Sequence, residues 1–157
     1  MSAAGAGITS ITQSGALSVG TTTSLTPGAG NSVLLDNAAN DFTGAVGVAN
    51  GLNLTLRDAN ALVLGASIIS GTLTVSTAGA ITQSGGLAVS GVTTLAAGAA
   101  NNITLANAAN TFSTVAVTTG NNVSLADADA LDLGASTISG TLSVSAGGAI
   151  SDSGNLL

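Results

Sequence analysis

The pentapeptide Ile81-Thr82-Gln83-Ser84-Gly85 reveals how the chain is organised, because close copies of it stand at one spacing on either side. Ile11-Thr12-Gln13-Ser14-Gly15 precedes it and Ile150-Ser151-Asp152-Ser153-Gly154 follows it, each at a distance of about 70 residues. Self-similarity at a fixed period is the signature of repeat proteins, whose units stack to bury a common core. The sequence therefore predicts a single solenoid over residues 1–157.

Other segments recur at the same spacing and define the units. The segment 37–42 returns at 107–112, and 58–62 returns at 127–131. We predict the following organisation: an N-terminal coil segment at 1–10, a first repeat unit at 11–80, a second at 81–149, and the start of a third at 150–157.

The units consist of short segments in which apolar and small polar residues alternate. Leu73-Thr74-Val75 and Val123-Ser124-Leu125 are examples. This period of two is typical of a strand buried on one face. Clusters such as Gly120-Asn121-Asn122 separate the segments and favour tight turns. The sequence therefore predicts an all-β chain with strands of about three to five residues.

Apolar residues of these segments form three interleaved series with steps of roughly 20 to 27 residues. The series are Val75, Leu95, Val117 and Val144; Ile81, Ile103, Val123 and Ile150; and Leu87, Phe112, Leu131 and Leu156. A chain that visits three faces in rotation is winding into a coil. We therefore predict a three-sided parallel β-helix of six or seven coils, with three coils of about 23 residues in each unit. Its length would be roughly 30 Å.

Eleven side chains are predicted to fill the core of this coil. They are Phe42, Val75, Ile81, Leu87, Leu95, Ile103, Phe112, Val117, Val123, Leu131 and Val144. A narrow tube has room for aliphatic groups and few rings, which explains why the chain has only two aromatic residues. Asn at matching turns, such as Asn40 and Asn110, is expected to share amide hydrogen bonds along the rod.

The composition excludes most chemical functions. The chain has one Lys or Arg, seven Asp or Glu and no His or Cys, with a net charge of −6. It therefore offers no imidazole base, no thiol nucleophile and no zinc site of the usual ligand types. A single cation cannot neutralise a nucleic-acid backbone. We expect neither an enzyme, nor a cofactor, nor nucleic-acid binding.

Membrane insertion is also not expected, although the mean hydropathy is +0.61. Polar residues interrupt every apolar stretch before the roughly 20 residues that a spanning helix needs. The two aromatic residues cannot form the interfacial girdles of a lipid-facing barrel. The segment Met1-Ser2-Ala3-Ala4 has no basic region, so no secretory signal is predicted in this sequence.

The densest acidic cluster is Asp127-x-Asp129-x-x-Asp132. It is a weak candidate for calcium, because it lacks the Gly and the terminal Glu of a twelve-residue calcium loop. A solvated turn is the alternative and the expected interpretation. Arg57 is expected to point outward and to form a weak surface pair with Asp58.

Several motifs resemble the shaft repeats of filamentous-haemagglutinin-like exoproteins and large autotransporter adhesins. They are Gly79-Ala80-Ile81-Thr82-Gln83-Ser84-Gly85, Asn102-Ile103-Thr104-Leu105, Asn-Ala-Ala-Asn-x-Phe, and Leu-x-Leu-Gly-Ala-Ser at 62–67 and 131–136. The resemblance implies a right-handed β-helix, a location outside the cell or on the bacterial surface, and a role as a structural shaft.

Two functional expectations follow. In the first, the chain is a structural rod, either an adhesin shaft or a filament subunit. It is expected to assemble end to end or to aggregate, because residues 150–157 are in phase with 11–18 and would meet an N-terminal coil. In the second, outward hydroxyl rows such as Thr72, Thr74 and Ser76 bind glycans or ice. The row at Thr114, Ala116 and Thr118 is interrupted, which weakens the second expectation.

Overall fold

The computed structural model of the protein describes residues 10–157, which form 18 β-strands. No helix occurs between residues 10 and 157. The predicted all-β class is therefore confirmed. The predicted N-terminal coil segment at 1–10 lies outside the described residues, apart from Ser10.

The strands alternate buried and outward residues, as the period of two predicts. Leu73–Thr77, for example, buries its first, third and fifth side chains. The strands are β1 (Ser10–Thr12), β2 (Ser18–Val19), β3 (Thr23–Leu25), β4 (Ser32–Leu35), β5 (Asp41–Phe42), β6 (Val46–Val48), β7 (Leu54–Asp58), β8 (Leu62–Leu64), β9 (Ser67–Ile69), β10 (Leu73–Thr77), β11 (Ile81–Gln83), β12 (Leu87–Ala96), β13 (Ile103–Leu105), β14 (Thr111–Thr119), β15 (Val123–Asp127), β16 (Leu131–Leu133), β17 (Leu142–Ala146) and β18 (Ile150–Asp152).

The strands form three parallel sheets, and the two larger ones run along the molecule. The nine-stranded sheet has the order β1-β4-β7-β10-β12-β14-β16-β18, with β9 also paired to β12. The seven-stranded sheet runs β17-β15-β13-β11-β8-β6-β3, and β2 pairs with β5 in the third sheet. The fold is a β-solenoid of about seven coils, and its three sheets fit the predicted three-sided form.

The coils are shorter than the upper end of the predicted range. Register partners on neighbouring coils are separated by 18 to 23 residues along the chain. Val46 and Leu64 are 18 residues apart, and Thr23 and Val46 are 23 residues apart. The predicted steps of roughly 20 to 27 are therefore corrected to steps of 18 to 23.

The repeat unit makes three and a half coils, which corrects the predicted three. Ile11 lies in β1 at one end of the nine-stranded sheet, and Ile150 lies in β18 at its other end, seven strand-to-strand steps away. Their equivalent Ile81 lies in β11, in the seven-stranded sheet. Two units therefore complete seven coils, and equivalent residues alternate between the two long sheets.

This alternation explains the errors in the first two predicted series. Val144 pairs with Leu125 and not with Val117, while Ile150 pairs with Leu131 and not with Val123. The longest predicted steps joined residues of different sheets, because a unit of about 70 residues contains three and a half coils of about 20 residues and so ends on the other sheet.

The third predicted series is wrong at every step. The partner of Phe112 is Val89 and not Leu87, next to a register shift in β12. Leu131 lies in β16, which pairs with the segment of β14 that follows Phe112. Leu156 forms an isolated bridge with Ser136. The corners that join the two long sheets contain short strand segments, and these do not form the one continuous face that the series predicts.

One hydrophobic cluster extends through the described residues and takes side chains from all three sheets. Ten of the eleven predicted core side chains are buried in it. Val144 is only half-buried, because it lies on the last coil and has no following coil beside it.

Equivalent turns in the two units use glycine for its backbone freedom. Gly28 and Gly98 have φ of 87° and 83°, a region that residues with a Cβ rarely adopt. Their carbonyl groups accept hydrogen bonds from the main-chain N–H of Asn31 and Asn101. These turns carry the chain from one long sheet to the other.

Candidate functional site

The acidic cluster does not assemble as a set of metal ligands. Asp127 is buried, and its Oδ2 accepts a hydrogen bond from Phe112 N at 2.6 Å while Oδ1 accepts one from Asp129 N at 2.8 Å. The Asp129 side chain is exposed. Within residues 10–157, no group of three potential metal-ligating side chains comes together. Asp127 thus holds two backbone N–H groups of successive coils.

Asp58 repeats this arrangement in the first unit. Its Oδ2 accepts from Phe42 N at 2.8 Å, and its Oδ1 accepts from Asn60 N at 2.7 Å. The predicted surface pair with Arg57 is wrong, because Asp58 is buried while Arg57 is exposed on the other side of the strand. Both buried carboxylates therefore accept hydrogen bonds from main-chain N–H groups.

Asp132 lies on the outward side of β16 near the C-terminal end. Its carboxylate accepts hydrogen bonds from the hydroxyl groups of Ser151 and Ser153 on the next coil. The Ser153 hydroxyl, assisted by those of Ser151 and Thr114, lowers the pKa of Asp132 against an opposing effect of desolvation. The three candidate calcium residues therefore occupy three different environments.

A buried amide cluster is the main polar feature that sequence reasoning missed. Asn110 is fully buried, and its Nδ2 donates to Gln83 Oε1 at 3.0 Å while its Oδ1 accepts from Gln83 Nε2 at 2.8 Å. Asn40 and Gln13 form the same pair in the first unit. The amide bonds thus join each Gln to an Asn of the following coil, and not Asn40 to Asn110. The identical Gln-to-Asn spacing in the two units was the signal that could have indicated it.

The outward faces of the two long sheets carry hydroxyl rows of limited length. On the seven-stranded sheet, Thr82, Thr104, Ser124 and Ser143 are successive register partners. On the nine-stranded sheet, the row contains Thr55, Thr74 and Thr94, with Leu34 before it and Ala116 after it. The first row spans four coils without interruption and was not predicted from the sequence.

The C-terminal coil exposes side chains that its equivalents bury. Ile150 is 50% exposed, whereas Ile81 is 0% exposed. Leu142, Leu156 and Leu157 are also exposed. The last strands of the long sheets, β17 and β18, each have a strand partner on one side only. This end is an apolar surface bordered by free strand edges.

The opposite end contains a partly open cavity of about 360 Å³. Its apolar lining residues include Ile11, Leu17, Val19, Leu25, Leu35 and Phe42. The outermost strands that the structure describes at this end are β1 in the nine-stranded sheet and β3 in the seven-stranded sheet.

Comparison with known proteins identifies a repeat family. The family described as "Repeats of unknown function (DUF5649)" matches residues 2–49, 51–119 and 120–157. No curated protein and no solved structure matches the chain. In the part of the chain that the structure describes, no helix is long and apolar enough to cross a membrane.

Proposed function

The chain belongs to the DUF5649 family of repeats of unknown function, and from the geometry of its fold we propose that it is a structural rod. We propose further that this rod is a shaft segment of a bacterial surface adhesin or a subunit of an extracellular filament. The continuity of the nine-stranded parallel sheet from β1 to β18 carries the proposal. The resemblance of the repeats to adhesin shafts supports the extracellular role.

The rod is stiff because neighbouring coils are joined by hydrogen bonds in both long sheets. In the nine-stranded sheet, for example, β10 pairs in register with β7 over five residues and with β12 over four. The same coils share one hydrophobic cluster with their neighbours. Bending between two coils would have to separate hydrogen bonds and apolar contacts together.

A chemical role is not proposed. The two buried carboxylates, Asp58 and Asp127, are each occupied by two backbone N–H groups. A hydrolytic site would need a pair of carboxyl groups facing one substrate, and we propose that these acids instead hold the coils in place. The proposal likewise includes no cofactor.

A distance measurement tests the rod. The chain has no Cys, so Ser14→Cys with Asn155→Cys gives two unique labelling positions near the two ends. Seven coils at about 4.8 Å predict one narrow distribution of spin-label distances centred near roughly 34 Å. A broad distribution, or a centre far below this value, would contradict the rod.

A second candidate function is a binding module for glycans or ice. The uninterrupted row Thr82, Thr104, Ser124 and Ser143 favours it, because such a row is flat and uncharged. It predicts that Thr104→Lys abolishes binding on a glycan array or in an ice-recrystallisation assay without lowering the melting temperature. The rod proposal predicts no such binding for either the parent chain or Thr104→Lys.

A further inference from the structure

We propose that Asn50-Gly51 is a site of spontaneous covalent modification, at which the fold holds back a reaction that the sequence favours. Asn50 is converted to aspartate or isoaspartate when the coil that follows it moves away. This inference goes beyond the rod function, because it concerns a reaction of the chain with itself and with water. It rests on the sequence at this turn and on the hydrogen bonds that join the turn to its two neighbouring coils.

The reaction joins a side chain to the main chain. The Gly51 nitrogen loses its proton to solvent and attacks Cγ of Asn50. The Cγ–Nδ2 bond breaks, and ammonia leaves with a proton taken from water. Water then opens the resulting five-membered succinimide ring at either of its two carbonyl groups. One opening gives aspartate, and the other gives isoaspartate, in which the main chain passes through Cγ.

The sequence favours this reaction at one asparagine above the others. Asn50 is the only asparagine of the chain that is followed by glycine. A side chain on the following residue would hinder the approach of its nitrogen to Cγ, and glycine has none. Glycine also has more backbone freedom than any other residue, so an unrestrained Asn50-Gly51 segment reaches the reactive geometry readily. Asn50 is exposed, which gives water free access to its amide.

The nitrogen that has to attack is held by the following coil. The Gly51 N–H donates a hydrogen bond to Ile68 O at 3.0 Å, and Gly51 O accepts one from Ser70 N at 2.9 Å. Gly51 is also buried, and a Cβ at this position would lie 3.1 Å from Val48 Cγ1. In the stacked coil, the nitrogen can therefore neither lose its proton to solvent nor turn toward Asn50 Cγ. The reaction requires the coil that contains Ile68 to move away.

The preceding coil fixes the rest of this turn. Ala49 N donates to Leu25 O and Leu52 N donates to Asn31 O, both at 2.8 Å. Asn50 lies between these two anchors with a φ of 59°, a left-handed conformation in which Asn is enriched. The turn is thus held from both sides, and a rotation of the main chain at Asn50 would break hydrogen bonds to both neighbouring coils.

The second unit makes the equivalent turn without a reactive amide. Gly120 forms an isolated bridge with Ile138, as Gly51 does with Ile69. The residue before Gly120 is Thr119, so the fold does not require an asparagine in front of this glycine. The glycine serves the packing of the coil in both units, whereas the reactive pair occurs in the first unit alone.

Isoaspartate at residue 50 should prevent the turn from restacking fully. It places one additional atom in the main chain between Ala49 and Gly51, whose N–H groups bond to opposite coils. Both hydrogen bonds cannot then keep their positions, and each opening that leads to reaction leaves a permanent change. Refolded chains that contain isoaspartate at residue 50 should melt at a lower temperature than the unmodified chain, and equal melting would contradict this consequence.

Mass spectrometry after incubation in mildly alkaline buffer measures the reaction. Cleavage before Asp41 and Asp58 releases the peptide 41–57, whose fragmentation locates the modified residue. In denaturing urea, Asn50 should react faster than Asn31, which precedes a serine. In native buffer, the rate at Asn50 should be at least about tenfold lower than in urea, because only the locally open fraction reacts. Equal rates in the two solvents, or no product in urea, would overturn the proposal.

Two matched variants test whether the adjacent coil controls the rate. Ile69→Val removes a buried methyl group from the coil that covers Gly51, and it should raise the native rate at Asn50 about fivefold. Ile138→Val makes the same change at the equivalent position of the second unit and should leave that rate unchanged. Circular dichroism verifies that both variants are folded. Equal acceleration in both variants, or none in Ile69→Val, would refute control by the adjacent coil. Asn50→Gly, which tolerates the positive φ, gives the background signal of the assay.

Discussion

Two regions of the molecule have nearly the same sequence and opposite exposure. Leu73-Thr74-Val75-Ser76 in β10 corresponds to Leu142-Ser143-Val144-Ser145 in β17. Leu73 and Val75 are buried, while Leu142 is exposed and Val144 half-buried. The difference is the neighbouring coil, since β10 pairs on both sides and β17 on one. Burial in this fold is thus a property of stacking, and the local pattern supplies only the direction of each side chain.

The polar residues show the same dependence. Gln83 is bonded to Asn110 of the following coil, whereas Asp152 stands at the equivalent position of the last coil and accepts a local hydrogen bond from Gly154 N. A side chain that bonds to the next coil requires that coil to be present.

The largest effect should come from placing a charge in the interior coil. Ile81→Asp should destabilise the fold by about 5 kcal/mol or more, because an unpaired carboxylate replaces a fully buried aliphatic group. Ile150→Asp should lower the free energy of unfolding by less than about 1 kcal/mol, since the Ile150 side chain is already half exposed to solvent. Urea unfolding of both variants measures the comparison, and equal losses would contradict it.

A smaller difference is expected for the polar equivalents. Gln83→Ala should cost about 1 kcal/mol, because it removes two hydrogen bonds to the buried Asn110 amide. Asn110 keeps its bonds to Leu105 O, Ala126 O and Leu87 N. Asp152→Ala, at an exposed position, should stay within about 0.5 kcal/mol of the parent. Thermal unfolding monitored by circular dichroism distinguishes the two. A neutral Gln83→Ala would show that the amide cluster is not a stabilising element.

Two interior threonines provide a further contrast. The hydroxyl of Thr93 is buried without a hydrogen-bond partner, while that of Thr77 donates to Gly79 O. Thr93→Val should therefore stabilise the fold by about 1 kcal/mol, and Thr77→Val should destabilise it by a similar amount. Chemical denaturation of the pair tests this, and the same sign for both would contradict it.

The smallest effect concerns acid titration of the last coils. The pKa of Asp132 is lowered in the folded chain, chiefly by the Ser153 hydroxyl, from an ordinary value of 3.8. Its contribution to stability is therefore present above pH 3.8 and is lost as the pH falls below that value through the lower folded pKa. Asp132→Asn should reduce the fall in melting temperature that accompanies acidification below pH 3.8. Asp129→Asn, which removes an exposed carboxylate outside the Ser151 and Ser153 contacts, should show the same fall in melting temperature as the parent.

The repeats and the alternation were enough to predict the solenoid, because a strand period of two and a repeat period of about 70 leave few ways to bury aliphatic side chains. The number of coils in each unit was not predictable in the same way. Strand segments in both units look alike, and only the hydrogen-bond register shows that Val117 and Val144 lie in different sheets. The half coil arises because a unit of about 70 residues divides into three and a half coils of about 20 residues.

The polar interior was harder to predict for a related reason. Asp58 and Asn40 resemble ordinary turn residues in the sequence, and their burial follows from how a neighbouring coil lies against them. The sequence around Asp127 is typical of a surface loop, and Asp127 is buried because its carboxylate accepts a hydrogen bond from Phe112 N on the preceding coil. Side chains that bridge coils are visible only once the register is known.

Disulfide formation between engineered cysteines tests the strand register between adjacent coils, on which the solenoid fold depends. Thr82 and Thr104 are outward register partners on adjacent coils. The spacing of paired strands places their Cα atoms about 4.8 Å apart, which lies within the Cα–Cα range of disulfides. Thr82→Cys with Thr104→Cys should oxidise to one intramolecular bond in the folded chain. Thr82→Cys with Ser124→Cys, two coils apart, should stay reduced. Efficient bonding in the second pair, or none in the first, would contradict the coiled stack.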